Sequence, residues 1–231
     1  MIGLAERVRR DEQMDDPSLD PAVYDRVLAD LSRVNWWTLA ARPTLAFLRR
    51  GAAGMPAFRL LDVGFGQGDM LRRIARWARR RGIAVDLIGV DLNPGSAAVA
   101  RAATPAGWPI EYRTGDYGEV AGSLDFVISS LVAHHMTDAQ LDAFIRFMEK
   151  RAERGWLIND LHRHSLSFLG FPLLARAIGA HRIVREDGRL SIARSFRPGE
   201  WRAILAAAGI PEGAARVVRR FPFRLCVERL R

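Results

Sequence analysis

The apolar positions of this chain switch repeatedly between two periods. Tyr24, Val27, Leu28 and Leu31 recur at i, i+3, i+4 and i+7, which predicts an amphipathic helix over 21–33. Asp20 and Pro21 supply its N-cap and first position. A second helix opens at Pro43 and carries Leu45, Phe47 and Leu48. Short continuous apolar runs then predict strands at 58–63, 85–91, 109–114, 124–130 and 156–160. Helical patterns stand between them. One holds Leu71, Ile74, Ala75 and Ala78, and the next is the alanine-rich stretch from Pro94 to Ala103. A third holds Leu141, Phe144, Ile145 and Met148 behind a Thr137/Gln140 capping box. Apolar strands alternating with helices predict an α/β fold, with a parallel sheet covered on both faces.

The order changes after Asp160. Residues 161–180 include Leu166, Phe168, Leu169, Phe171, Leu173, Leu174, Ala177 and Ile178, too short a run to span a membrane. This segment is either a packing helix or a lid over an apolar substrate. Trp201, Ile204, Leu205 and Ala208 mark another helix, stopped by Gly209. Runs at 217–219 and 224–228 flank Phe221-Pro222-Phe223, too close together for a crossover helix, so they are expected to pair antiparallel. The expected organisation is a helical appendage over 1–55 and a main domain over 56–231, with an apolar lid insertion at about 161–190. Trp36 and Trp37 in the first part are packing residues or a wall of a substrate pocket.

Composition narrows the classes. A single cysteine, Cys226, excludes a disulfide framework and a cysteine-rich zinc site. No run approaches a membrane-spanning length and no basic-then-apolar leader opens the chain, so the expected location is cytoplasmic. Net charge is +9, which fits a solubilising surface, an anionic ligand, nucleic acid or an anionic membrane. The densest cationic cluster, Arg72, Arg73, Arg76, Arg79, Arg80 and Arg81, reads as the solvated back of a helix packed on the sheet.

The chemistry-bearing residues gather at the carboxyl ends of the predicted strands, where open parallel sheets bind ligands. The first strand ends in Asp62-Val63-Gly64-Phe65-Gly66-Gln67-Gly68, the second in Asp91, the third in Gly115-Asp116, the fourth in Ser129-Ser130 and the fifth in Asn159-Asp160. Alternate glycines let a ligand approach the backbone. Their spacing differs from the G-x-G-x-x-G dinucleotide pattern. Asp62 would repel a pyrophosphate but would suit the ammonium of an amino-acid moiety. Asp91 is placed to take both hydroxyls of a ribose.

In these residues, from Asp62 to Gly68, from Gly89 to Pro94 and at Gly115-Asp116, the chain resembles the class I S-adenosylmethionine-dependent methyltransferases. The resemblance is close over about 55–160 and follows element order elsewhere. It departs at Phe65, where many relatives carry a cysteine or serine. It implies a Rossmann-like three-layer sandwich whose seven-stranded, mostly parallel sheet ends in an antiparallel strand. It also implies S-adenosylmethionine as cofactor. Gly64, Gly66 and Gly68 would admit the methionyl part and sugar, and Asp62 would orient the turn and the amino group. Asp91 would hold the ribose, with Leu92 against the adenine. Asp116 would accept from the adenine amino group with Tyr117 beside the ring, and Ser130 and Leu131 would line the far side.

A hydroxyl acceptor needs a base. His162 and His164 stand where the sheet ends and the apolar segment begins, and with His135 they are the candidate catalytic residues. His134, Trp36, Trp37, Phe168 and Phe171 are candidates for the substrate pocket. His162 and His164 alternate as on a strand, but without a matched third ligand no metal is expected. The leading function is methylation of a small, partly apolar acceptor, a phenol, quinol or polyketide-like compound, by a monomer or homodimer. The alternatives are an RNA or protein methyltransferase and a non-catalytic binding protein. Ser129-Ser130-Leu131-Val132 lacks the Asn/Asp-Pro-Pro-aromatic motif of exocyclic base-amine methylation. No specific nucleic-acid partner is therefore expected, and peripheral membrane contact is left open.

Overall fold

Strands β1 (Ala57–Val63), β2 (Ala84–Asp91), β3 (Ile110–Thr114), β4 (Leu124–Ser130), β5 (Ala152–Leu161), β6 (Arg216–Arg220) and β7 (Arg224–Leu230) form one sheet. Their spatial order is β3-β2-β1-β4-β5-β7-β6. The first five pair in parallel, and β7 runs antiparallel to both β5 and β6. The computed structural model describes residues 4–16 and 18–231. The expected α/β sheet with its terminal antiparallel hairpin is present.

Helices cover both faces. On one, α5 (Asp138–Arg151) and α8 (Pro198–Ala207) bury Phe144, Ile145, Met148 and Trp201 against Leu61, Val127, Trp156 and Val227. On the other, α2 (Ala41–Gly51), α3 (Asp69–Arg79) and α4 (Pro94–Ala102) pack on Phe58, Leu60, Leu87, Phe126 and Leu157. Leu60 and Leu61 are neighbours in sequence and fill opposite cores, as the two-residue period of a strand requires. Burial on both faces is why the central strands read as unbroken apolar runs. The Thr137/Gln140 capping box opens α5 as expected.

Residues 1–55 divide between two packings. Helix α1 (Pro21–Trp37) lies against α6 (Ser165–Ala177) and α7 (Arg182–Arg194), where Val27 and Val34 meet Ala175, Ile183 and Val184. It runs past the expected end at 33, so Trp36 and Trp37 occupy its last turn. Helix α2 is part of the sheet's cover. Phe47 is fully buried, with its ring edge-on to Phe126 at 5.9 Å. The 161–190 segment consists of α6, a tight link and most of α7. One arginine departs from the expected solvated back of α3: Arg72 is buried, and its Nη1 donates to the Gln67 carbonyl at 2.6 Å. It braces the glycine turn from within.

Candidate active site

The turn after β1 is held open by its backbone. Gly64 has φ +76°, and its N–H donates to the Val90 carbonyl at 2.8 Å. A β-carbon there would lie 2.3 Å from Val132 Cγ2, so only glycine fits. Gly66, at φ +52°, faces the opposite situation: a β-carbon would meet no heavy atom within 4 Å. Its outer side borders free space, while its N–H donates inward to Asp91 Oδ2 at 2.9 Å. Asp91 Oδ1 accepts from the Asn93 N–H at 2.9 Å, so the acid at the end of β2 fastens two loops together. Phe65 turns under the loop and packs on Tyr112 at 4.9 Å, which leaves the loop's outer side to backbone.

Asp62 is 1% exposed, and its Oδ1 has no hydrogen-bond partner among the described residues. Burial, with lesser contributions from Asp69 and Asp91, pushes its carboxyl well above the usual range. A buried polar atom without a partner is costly. Beside it opens a cavity of about 1110 Å³. Its floor holds Asp62, Gly64, Gly66, Asp91, Ser130 and Leu131. Its far wall comes from Leu28, Leu31 and Trp37 of α1 and from Leu166, Phe171 and Leu174 of α6.

A polar network closes one side of this cavity. His134 and His135 sit on a short 3-10 turn (Ala133–His135) after β4. His134 Nδ1 donates to Asp160 Oδ1 at 2.7 Å, and its Nε2 lies 3.6 Å from Glu12 Oε1. Burial opposes a charged ring, but Asp160 and Glu12 outweigh it and raise the His134 pKa to about 9. His134 is therefore a cation at neutral pH, clamped between two carboxylates. His135 is more open, with Nδ1 3.1 Å from Asp15 Oδ2 and Nε2 3.8 Å from Glu12 Oε1. Arg194 donates to the carbonyls of His134 and His135 and so fixes the turn. Among the described residues, Glu12, His134 and His135 are the group whose ligand atoms converge within 4.8 Å, as metal ligands must. Glu12 Oε1 already accepts from Ser191 Oγ at 2.8 Å, and His134 is held by Asp160, so the cluster is satisfied as a hydrogen-bond network.

Residues 60–155 match a protein-family profile described as a methyltransferase domain. No curated protein matches the chain in sequence. The chain is similar in structure to magnesium protoporphyrin IX methyltransferase from Synechocystis PCC 6803 with bound SAH. That match has 16% identity and a TM-score of 0.56, and covers 95% of this chain and 91% of the other. It is similar to the plantazolicin methyltransferase in complex with SAH at 14% identity and a TM-score of 0.64, covering 90% and 95%. A third similarity, to the CMeT domain of the citrinin polyketide synthase, has 14% identity and a TM-score of 0.53 and covers 75% and 46%. The chain has the class I S-adenosylmethionine-dependent methyltransferase fold.

The residues of this methyltransferase fold suit the cofactor that the resemblance implies. The unpartnered Asp62 oxygen is where an ammonium would be welcome, and the free space outside Gly66 is where a ligand would meet backbone. Leu92 is exposed at the cavity mouth. Gly115 and Tyr117 stand on the wall. Asp116 is exposed and caps the next turn, where its Oδ1 accepts from the Gly118 N–H at 2.6 Å.

Several expected pocket residues are redistributed. His162 and His164 line a second cleft of about 600 Å³, away from the glycine turn, with Arg163, Arg197, Arg219, Arg220 and Arg224. Burial, then His164 and Arg219, push the His162 pKa down. His164 Nδ1 accepts from the Leu166 N–H at 3.2 Å and caps α6. Neither ring reaches the cavity that holds Asp62, which corrects their expected placement as bases. Phe168 is corrected too, since it is buried against Ile192 and Ala193 beneath the Arg189 guanidinium. Of the two tryptophans only Trp37 lines the cavity, with Trp36 edge-on to it at 5.0 Å. Phe171, His134 and His135 line the cavity. Glu12, Asp15 and Arg194 were missed as functional candidates. The signal was the acid cluster 11–16, but nothing local says which strand end those acids face. Cys226 is buried, its thiol pushed up to about 12 by that burial, so it is no nucleophile.

Proposed function

We propose that the protein transfers a methyl group from S-adenosylmethionine to a small, partly apolar, natural-product-like acceptor, at an oxygen. The observation that carries this reading is the pairing of two unlike halves in one cavity. One half is an acid-and-glycine floor with an orphaned buried carboxylate oxygen, and the other is an apolar wall from α1 and α6. The bound cofactor would supply an electrophilic methyl group on a sulfonium. Asp62 would hold the cofactor's ammonium and Asp91 its ribose hydroxyls, with the Gly64–Gly68 backbone free of side chains that would block it. Leu28, Leu31, Trp37, Phe171 and Leu174 exclude water and hold the acceptor's apolar body. Much of the acceleration is then alignment. The acceptor's proton goes to His135, the more open histidine of the wall. Asp15 and Glu12 orient that ring.

Titration calorimetry tests the reading. S-adenosylmethionine and its demethylated product should bind, and NAD should not. Asp62→Asn and Asp91→Ala should each weaken binding by about 1.5–3 kcal/mol, the range for a hydrogen bond to a charged group. Binding should also tighten as pH rises, because the cofactor's ammonium favours ionised Asp62 over its protonated form. NAD binding with no response to S-adenosylmethionine would overturn the assignment. His135→Gln should retain cofactor affinity and lower turnover by roughly a hundredfold or more, and unchanged turnover would place the base elsewhere.

A further inference from the structure

Exposed apolar groups from three elements meet where the two cavities adjoin. Helix α6 contains no acid, and its Leu166, Leu169 and Leu173 are 62%, 66% and 71% exposed. Their i, i+3, i+7 spacing sets them in one stripe, beside the face whose Gly170, Phe171 and Leu174 line the large cavity. The last turn of α1 presents Trp36 and Trp37, both exposed. The β6–β7 hairpin presents Phe221, 80% exposed, and Phe223. The groups are joined: Trp37, Leu166 and Phe223 border the same cavity mouth, and the Phe223 ring lies 5.3 Å from that of His164 at the start of α6. Single exposed leucines need no explanation, but a connected apolar rim does.

The smaller cleft beside this rim is lined by cations. The smaller cleft shares Phe223 and Arg224 with the large cavity and has five arginines, two histidines and no acid in its wall. Arg163 is paired with Glu200, and Arg220 reaches Glu228. Among the described residues, Arg219 and Arg224 have no carboxylate within 4 Å. Arg224 is 2% exposed, and its Nη1 has no hydrogen-bond partner among the described residues.

We propose that this rim is a docking surface for an anionic lipid bilayer. The leucine stripe, the tryptophan pair and Phe221 enter the interfacial layer, and Arg219 with its neighbours meets lipid phosphates. Apolar and aromatic side chains bordered by cations have the composition of an interfacial surface, and anionic headgroups complement the arginines. A second copy of the chain fits less well. A two-fold contact would set this same patch on both copies, and the wall of the smaller cleft has no carboxylate to offer the partner's arginines. If the cavity is the methylation site proposed above, an apolar acceptor would enter it from the bilayer without crossing water. That clause rests on the proposed function, and the docking does not.

Co-sedimentation of the full chain with vesicles tests the proposal. Phosphatidylcholine vesicles with and without phosphatidylglycerol serve as probes. The protein should partition onto the phosphatidylglycerol vesicles and stay largely in solution with phosphatidylcholine alone. The double variant Leu169→Glu/Leu173→Glu should lower the partition coefficient roughly tenfold, and Arg219→Glu should lower it as well. Unchanged melting temperature and unchanged affinity for SAH would show that both variants are folded. Failure of the wild type to bind either vesicle overturns the proposal, as does a double variant that partitions like the wild type, since net charge alone would then account for adsorption. A concentration-dependent dimer in sedimentation velocity, abolished by the double variant without vesicles, would assign the rim to a second copy and overturn it too. Vesicle binding by a wild-type protein that does not bind SAH would sustain the docking and remove the methylation reading.

Discussion

His134 is where burial and pairing compete most openly. Its ring is sealed between Asp160 and Glu12, and the pair wins over desolvation. A pKa raised from 6.5 to about 9 stabilises the fold fully below the unfolded value of 6.5. That contribution is lost as pH rises from there through 9, as the folded ring gives up its proton. The span corresponds to stabilisation on the order of 3 kcal/mol. Urea unfolding from pH 6 to pH 10 should show this decline, and His134→Gln should flatten it. A wild-type curve that is level across the window would show that the ring is neutral in the folded state. His135, one position on, also has carboxylate neighbours but keeps an open side to the cavity.

Among the elements, α1 and α2 look alike in sequence and do different work. Phe47 of α2 touches Phe126 in the centre of the sheet, whereas Trp36 at the end of α1 is largely in solvent. Phe47→Ala should cost about 3–5 kcal/mol, as for large aromatic truncations in cores. Trp36→Ala should stay within about 0.5 kcal/mol. Denaturant titration of the two variants separates them, and equal losses would mean that α2 is not part of the sheet's cover. Helix α2 is also tied by polar contacts. Asn159 at the end of β5 donates to the Ala40 carbonyl at 2.8 Å and to Thr44 Oγ1 at 3.2 Å. This contact fixes the entry to α2, and through it the place where α1 ends over the cavity.

Over the whole molecule, the net charge of +9 is spread unevenly. Arg76, Arg79, Arg80 and Arg81 face solvent on the back of α3, away from the carboxyl ends of the strands. The cavity itself is rimmed by acids, among them Asp11, Glu12, Asp15, Asp16, Asp69 and Asp91. A nucleic-acid strand would therefore be attracted to the back of α3 and to the arginine cleft beside the cavity, and repelled at the acid-lined site itself. Duplex or single-stranded RNA should adsorb weakly and come off by about 0.3 M salt. Fluorescence anisotropy across a salt series measures this, and tight binding that persists there would revive an RNA substrate.

The sheet and the floor of the site follow from local pattern. Two-sided burial writes itself as unbroken apolar runs, a glycine at positive φ is hard to replace, and an acid at a strand end stands beside the next turn whatever the rest of the chain does. Asp62, Gly64, Gly66 and Asp91 were legible for that reason. The other wall is assembled from contacts across long sequence separations, which periodicity cannot report. Glu12 reaches Ser191 and His134, Asp15 reaches His135, and Trp37 meets α6 across the cavity. His162 and His164 show the converse. Their position after β5 suggested the site, but the β6–β7 hairpin draws that loop aside, with the His162 N–H donating to the Phe223 carbonyl at 2.9 Å. Which strand ends gather the acids and glycines of the cavity floor is readable along the chain, because those signals are local. Which histidines share that cavity emerges only on folding, because their direction is set by segments far away in the chain.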